Sequence, residues 1–153
     1  MQYFGRTDKS QIPSNLMNFL LSKFGGNVIE EIFEQTFGEK EVTLIGEGYG
    51  AKIQACGVDY RNDNSFALFD VIIDENYLSR DGVISIAEIF NLETVPVVFT
   101  GNLQKGIDWV KTKPNSLIGT AKSEGLVARP KIELKDRLGN RLIVKIKVCD
   151  FEQ

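Results

Sequence analysis

The amino-acid sequence predicts a single α+β domain over residues 1–153, with antiparallel β-sheets flanked by helices. Apolar residues at helical spacing dominate the first quarter of the chain, and short apolar runs typical of strands follow. Helices and strands do not alternate strictly, which argues against a doubly wound parallel sheet. A length of 153 residues and a 42% apolar share fit one globular domain.

Four segments have the apolar spacing of helices. Glycines end the first two, as is usual at helix C-termini. Asp81 is positioned to cap the third helix, and Pro114 stops the fourth. The predicted helices are residues 13–24, 28–37, 81–90 and 103–111.

Six further segments resemble strands by their apolar runs or their alternation. Residues 136–140 have turn composition and separate the last two, so these two are predicted to form a hairpin. The predicted strands are residues 42–45, 51–58, 65–73, 95–99, 126–134 and 142–148.

The composition excludes several classes of site. The chain has no histidine, which removes His-based triads and the common His-rich zinc sites. Cys56 and Cys149 form no Cys-x-x-Cys pair, and we expect both to be buried structural residues. A net charge of −3 confines nucleic-acid binding to a local basic patch.

The N-terminus lacks a charged-then-apolar signal pattern, and no apolar run reaches the roughly 18 residues of a membrane span. We therefore expect a cytoplasmic protein with no membrane partner.

Lys145 and Lys147 are the first candidates for a chemical role. Side chains alternate across a strand, so residues 142, 144, 146 and 148 are predicted to share a core face. The two lysines then lie together on the other face, where a polyphosphate would relieve their mutual repulsion. The alternative is an ordinary solvated sheet face, since exposed lysine is the norm.

Two further elements carry candidate residues. Glu124 precedes a strand and a glycine, a position that brings a carboxylate close to a bound metal or ribose. In the strand at 65–73, strict alternation places Phe66, Leu68 and Asp70 on one face and Phe69 on the other. A phenylalanine at a strand end can stack on a purine, but taken alone this segment favours a core position for both phenylalanines.

Residues 46–51 match Gly-x-Gly-x-x-Ala, and Asp70 follows about 20 residues later, as in dinucleotide-binding folds. That fingerprint needs a helix directly after the glycines. The residues that follow alternate like a strand and contain Gly57, so the match is judged accidental.

Taken in order, five short motifs resemble those of the covalent nucleotidyltransferases, and most closely those of the ATP-dependent RNA ligases. They include an arginine motif, a strand-end glutamate, an aromatic motif, an acidic motif and a final lysine pair. In this sequence they are Gly5-Arg6-Thr7-Asp8, Gly46-Glu47-Gly48-Tyr49-Gly50, Phe66-Ala67-Leu68-Phe69-Asp70, Glu124-Gly125-Leu126-Val127 and Lys145-Ile146-Lys147.

The resemblance implies an enzyme that uses ATP to join RNA 3′-hydroxyl and 5′-phosphate ends through adenylated intermediates. It implies RNA ends and an adenine nucleotide, ATP or AMP, as partners, and Mg²⁺ as the metal, held by Glu124. The implied catalytic residues are Glu124, Lys145 and Lys147. The implied nucleotide-binding residues are Arg6, Glu47, Phe69, Glu124, Lys145 and Lys147.

One departure from the family pattern limits this expectation. A Lys-x-Asp-Gly segment precedes the arginine motif in the family, and its lysine forms the covalent intermediate. No Lys-x-Asp-Gly occurs in this sequence, and five residues precede Arg6. We therefore expect a domain that lacks the N-terminal nucleophile segment and does not adenylate itself. The alternatives are a non-catalytic nucleotide- or RNA-end-binding module, or half of a split ligase that a separate lysine-bearing segment completes.

Overall fold

The computed structural model describes residues 1–7, 9–51, 53 and 57–152, with only the backbone of Val58. Within these residues, helices and mainly antiparallel strands confirm the predicted α+β class. The helices are α1 (Ser14–Phe24), α2 (Asn27–Phe37), α3 (Arg80–Ile89) and α4 (Leu103–Lys111). The strands are β1 (Val42–Gly50), β2 (Asn64–Ile73), β3 (Asn76–Tyr77), β4 (Glu93–Thr94), β5 (Gly125–Ala128) and β6 (Val144–Lys147).

The four predicted helices are present, and hydrogen bonds at their ends explain where α1 stops and where α3 starts. Gly25 follows α1, and its N–H donates to the Leu21 carbonyl at 2.9 Å. The prediction that Asp81 caps α3 is wrong, because the Ser79 hydroxyl accepts the Gly82 N–H at 3.3 Å. Asp81 instead lies in the first turn, where its charge favours the helix dipole.

The main sheet is built around β2, which pairs with β1 along its whole length. The short strands β3 and β4 pair with different parts of the opposite edge of β2, and β4 is the parallel one. One side of this sheet carries the core, where Leu68, Val71 and Val83 are fully buried. Phe33, Phe37 and Phe90 stack beside them and join α2 and α3 to the sheet.

A β-bulge in β2 overturns the predicted alternation of its side chains. Ile45 pairs with Asp70 and Gly46 pairs with Leu68, so Phe69 has no partner on β1. The extra residue reverses the side of the sheet on which each later side chain of β2 lies. Val71 consequently joins Leu68 in the core, although strict alternation would place them on opposite faces.

Two predicted strands are wrong. Residues 95–99 form no strand, because Pro96 has no N–H to donate and the neighbouring β4 ends at Thr94. In the segment 51–58, the described positions are turns and the start of a 3₁₀ helix at Gly57–Asp59, while Lys52 and 54–56 lie outside the described residues. The glycines of the dinucleotide-like match lie inside β1, so no phosphate-binding loop forms there.

The C-terminal hairpin is confirmed in outline but is shorter than predicted. β5 and β6 form a separate antiparallel sheet in which Gly125 pairs with Lys147 and Ala128 with Val144. Pro130 ends the regular pairing, since proline cannot donate to the ladder. The predicted core face is only partly correct, because Ile146 is 5% exposed but Leu142 and Val144 are about half exposed.

The small sheet packs against α4 through its Leu126–Ile146 side. A Cβ added at Gly106 of α4 would lie 3.3 Å from the Ile146 side chain, so helix and sheet are in close contact. Val110, one turn further along α4, is fully buried. This packing leaves the opposite side of the small sheet, with Lys145 and Lys147, away from α4.

Replacing Gly125 with alanine is expected to destabilise the small sheet selectively. Gly125 has a φ of +146°, and an added Cβ would lie 2.0 Å from the Ile146 carbonyl oxygen. Strain of this kind costs about 1–3 kcal/mol, and the clash adds to it. Urea unfolding should show a lower free energy of unfolding for the Gly125→Ala variant. Gly139→Ala is the control, because Gly139 has a φ of +85° with no atom within 4 Å of its Cβ. Equal losses in both variants would contradict the proposed clash.

The prediction that Cys149 is buried is wrong. It is exposed in the 3₁₀ helix Val148–Phe151, which buries none of its residues. Cys56 lies outside the described residues. None of the described helices is long and apolar enough to cross a membrane.

Candidate nucleotide-binding site

The main sheet has an open side, opposite the core, that carries polar side chains. Directly paired residues share a side of a sheet, which aligns Glu47, Ala67 and Glu93 across β1, β2 and β4. Glu47 is exposed and forms no ion pair among the described residues. Its carboxylate is therefore available to a ligand lying on the open side.

Phe66 and Phe69 have different surroundings. Phe66 packs edge-to-face on Phe24 of α1, with ring centroids 6.4 Å apart, and is a core residue. Phe69 occupies the bulge, is half-buried and makes no aromatic contact with the described residues. Of the two phenylalanines, Phe69 is the one whose ring is left for a base.

An ion-pair cluster ties the C-terminal segment to the open side of the main sheet. The Asp70 carboxylate accepts hydrogen bonds from Arg129 at 2.6 Å and from Arg141 at 2.9 Å. Arg141 also pairs with Glu133, and its guanidinium lies 3.8 Å from the centroid of the Tyr77 ring. Asp70 and Arg141 are both 13% exposed, so the cluster is largely shielded from water.

The charges of the cluster stabilise one another. Burial disfavours ionised Asp70, but hydrogen bonds from Arg141 and Arg129 outweigh burial and hold the pKa of Asp70 below its ordinary value. The hydrogen bond from Arg141 likewise lowers the pKa of Glu133. The pKa of Arg141 is raised, chiefly by its hydrogen bond to Glu133.

These shifts predict acid sensitivity. A carboxyl whose pKa is lower in the folded state contributes stability that is fully present above its unfolded pKa, near 4, and is lost as pH falls through the folded pKa. We expect urea midpoints to be steady above about pH 5 and to fall below it. In an Asp70→Asn variant the urea midpoint should fall less steeply as the pH is lowered. An unchanged slope in that variant would show that Asp70 is not a source of the acid sensitivity.

The pairing of β5 with β6 brings together three predicted site residues. The Val148 N–H donates to the Glu124 carbonyl at 2.9 Å, which places Glu124 beside the end of β6 that carries Lys147. Lys145 and Lys147 share one side of the small sheet, and both are exposed. The described residues offer neither lysine an ion-pair partner.

The lysine side of the small sheet is linked to the main sheet through Arg129. Val127 pairs directly with Lys145, so the two share one side of the small sheet. Continuing the alternation of β5 by one residue puts Arg129 on that same side. Because Arg129 bonds to Asp70, this side and the open side of the main sheet meet at the ion-pair cluster.

The remaining predicted residue, Arg6, stands apart. It is exposed in an irregular N-terminal segment and makes no hydrogen bond or ion pair with the described residues. The structure therefore places the backbone of Glu124 beside the strand that carries the two lysines, and it places Glu47 and Phe69 on the main sheet. It does not group Arg6 with any of them.

Glu124 has the chemistry of a magnesium ligand but is not part of a preformed cage. It is exposed, and no cluster of three Asp, Glu or Cys residues that could hold a metal occurs within the described part of the chain. Mg²⁺ typically takes one or two carboxylates and fills its shell with water and substrate phosphates. A single exposed carboxylate, with no ion-pair partner among the described residues, fits a metal that arrives with a nucleotide.

A groove of about 640 Å³ lies at one end of the open side, beyond Glu47. It is lined by Tyr49, Tyr60, Arg61, Asn62, Asp63, Glu93, Thr94, Pro96, Leu117 and Ile118, and by none of the predicted site residues. Its cation, Arg61, is paired with both Asp63 and Glu93. The groove is therefore a poor phosphate site, and the lysine side of the small sheet is the better one.

A family model of RNA ligases matches residues 11–147 of this chain. The chain belongs to the RNA ligase family. The match spans both sheets and all four helices, so the family assignment covers the open side, the ion-pair cluster and the lysine pair.

Solved structures of RNA ligases share this fold. The chain is similar to a Naegleria gruberi RNA ligase lysine-to-methionine mutant with AMP and Mn, at 19% identity and a TM-score of 0.61. It is also similar to an apo lysine-to-alanine mutant of a Naegleria gruberi RNA ligase, at 20% identity and the same TM-score. Each alignment covers 93% of this chain and 41% of the solved chain. No individually curated protein sequence matches this RNA ligase family member.

In this RNA ligase family member, sequence reasoning missed the ion-pair cluster. Arg129, Glu133 and Arg141 were not singled out, because nothing local connects them to β2. One signal was present in the sequence: Asp70 is the only charge in the otherwise apolar run from Phe66 to Ile73. A charge inside a largely buried strand requires a partner.

Proposed function

We propose that this chain is the nucleotide-holding part of an ATP-dependent RNA ligase. The observation that carries the proposal is the group formed by Glu124, Lys145 and Lys147. Both lysines are exposed on one side of the small sheet, and the Glu124 backbone is hydrogen-bonded to Val148, directly after Lys147, in a chain of the RNA ligase family. The AMP and Mn in the Naegleria structure support an adenine nucleotide and a divalent metal as ligands here.

In the proposed binding mode, the two lysines hold the phosphates. Each ammonium group donates to phosphate oxygens and neutralises charge that develops on them during transfer. Glu124 orients Mg²⁺ or its water shell next to the same phosphates. When bound, the metal supplies positive charge that further stabilises the phosphoryl oxygens.

The main sheet is proposed to hold the nucleoside. Glu47 accepts hydrogen bonds from the ribose hydroxyls, and the Phe69 ring stacks on the adenine. Arg6 is proposed to join the site when substrate is bound, since it is exposed and forms no hydrogen bond or ion pair with the described residues. The ion-pair cluster positions the small sheet relative to the main sheet.

The reaction that these residues support alone is limited. Attack on the α-phosphate needs a lysine nucleophile, and these 153 residues contain no Lys-x-Asp-Gly. The sealing step does not use that lysine, because the RNA 3′-hydroxyl displaces AMP from an adenylated 5′-phosphate. The proposed activity is therefore sealing of pre-adenylated RNA without self-adenylation.

The test separates the steps. The chain is incubated with Mg²⁺ and α-labelled ATP, and separately with pre-adenylated RNA and a 3′-hydroxyl strand. We expect no protein–AMP adduct and Mg²⁺-dependent sealing. An adduct would show that another lysine is the nucleophile. If the chain neither seals nor binds AMP in equilibrium dialysis, the proposal is wrong.

The second candidate is a non-catalytic module or one half of a split ligase, and the missing Lys-x-Asp-Gly favours it. A module would bind AMP or RNA ends without sealing them. A split half would regain adenylation when a peptide containing Lys-x-Asp-Gly is added. The same peptide with its lysine replaced by alanine is the control, and adduct formation with that control would refute complementation.

A further inference from the structure

The charge of this chain is distributed unevenly. Residues 1–100 contain 7 Lys and Arg against 15 Asp and Glu, whereas residues 101–153 contain 11 against 6. The first part therefore has a net charge of −8 and the second a net charge of +5. A polyanion would be repelled by the first and attracted to the second, which consists of α4, the small sheet and their connections.

Two aromatic rings lie at the surface where the basic part begins, one just before residue 101 and one inside α4. Phe99 and Trp109 lie edge-to-face with centroids 6.4 Å apart, and the Lys105 ammonium lies 4.9 Å from the Phe99 centroid. Both rings are half-buried and Lys105 is exposed. We call these three residues the α4 platform. The stacked rings of the acidic part, Phe33, Phe37 and Phe90, instead lie in or against the core.

The close contact of α4 with the small sheet lies at Gly106, beside the α4 platform rather than within it. Val110, one turn further along the helix, is fully buried. Lys105 has no ion-pair partner among the described residues, and the nearby Asp108 accepts from Gln104 instead. The cation is therefore free to exchange its ring contact for an anion.

We propose that the α4 platform binds single-stranded RNA, as a contact point separate from the nucleotide site. A base stacks on Trp109 or Phe99, and Lys105 contacts the adjacent phosphate. Aromatic rings and unpaired cations side by side are the combination that single-strand sites use. The inference rests on the proposed function for the choice of RNA as the ligand.

Trp109 is the only tryptophan in the chain, so its fluorescence reports on this surface alone. The chain is titrated with a 5′-hydroxyl oligoribonucleotide of about 12 nucleotides, within the range that single-strand sites cover, and without ATP. We expect the fluorescence to be quenched, with an affinity that falls as salt is added. Unchanged fluorescence would overturn the proposal, even if the RNA binds elsewhere.

Variants then test the residues by anisotropy of a labelled RNA. Trp109→Ala should weaken binding by about 5- to 100-fold, the range for loss of one base stack. Lys105→Gln, at an exposed position that leaves the fold intact, should reduce the salt slope by about 0.7. Lys40→Gln, an exposed lysine in the acidic part, is the matched control and should bind like the wild type.

Measuring RNA and AMP affinity in the same variants separates a failure of the α4 platform from a failure of the proposed function. If Trp109→Ala and Lys105→Gln bind RNA like the wild type, the α4 platform is not the RNA site, whatever the nucleotide data show. If both variants lose RNA affinity but keep AMP affinity in equilibrium dialysis, the platform is confirmed as a separate contact.

Discussion

Replacing Asp70 with asparagine is expected to lower the free energy of unfolding by about 3 kcal/mol. The substitution leaves Arg129 and Arg141 without their shared carboxylate at a site where Asp70 is 13% exposed. Removing one partner of a buried ion pair costs about 3–5 kcal/mol, and partial exposure places this case at the lower end. For a domain of this size the midpoint of thermal unfolding should fall by about 6–12 °C.

Asp63→Asn is the matched control for this measurement. Asp63 also pairs with an arginine, Arg61, but its side chain is 69% exposed. Surface ion pairs contribute little to stability because water screens them, so the control should unfold close to the wild type. If both substitutions have the same small effect, the cluster is not what holds the C-terminal segment to the main sheet.

Replacing both Lys145 and Lys147 with glutamine is expected to weaken AMP binding by about 100-fold or more. A hydrogen bond to a charged group contributes about 1.5–3 kcal/mol, and this variant removes two ammonium donors from the proposed phosphate site. Because both side chains are exposed, the fold and its stability should be unchanged. Equilibrium dialysis with AMP and Mg²⁺ measures the affinity, and circular dichroism checks the fold.

Lys122→Gln controls for the general loss of positive charge. Lys122 lies in the same basic part of the chain, but its ammonium group donates to Asn115 at 2.7 Å. Its AMP affinity should match the wild type. An equal loss in the control would indicate long-range electrostatics, and no loss in the double variant would make the lysine pair an ordinary solvated sheet face.

The helices could be predicted from the sequence because each depends on residues close together in the chain. Periodic apolar residues and terminating glycines define α1 and α2 without reference to the rest of the chain. Strands were less readable, since a strand exists only when a partner pairs with it. Residues 95–99 have strand-like composition but no partner, while the two-residue β4 forms because β2 is adjacent.

The candidate site was likewise only partly predictable from the sequence. Its residue types were visible in the sequence, including Glu47, Phe69, Glu124 and the lysine pair. Their grouping was not, because it depends on contacts between distant segments. The bulge at Phe69 also had no local signal, and it decides which side of β2 carries Asp70.

By itself, the sequence determined the α+β class, the positions of the helices and the C-terminal hairpin, and it supplied the residue types of the candidate site. Only the tertiary structure decided that Asp70 lies on the open side and binds two arginines from the C-terminal segment. The reason is physical. Helix periodicity and turn chemistry act over a few residues, whereas a bulge and an ion pair depend on which distant strand lies opposite.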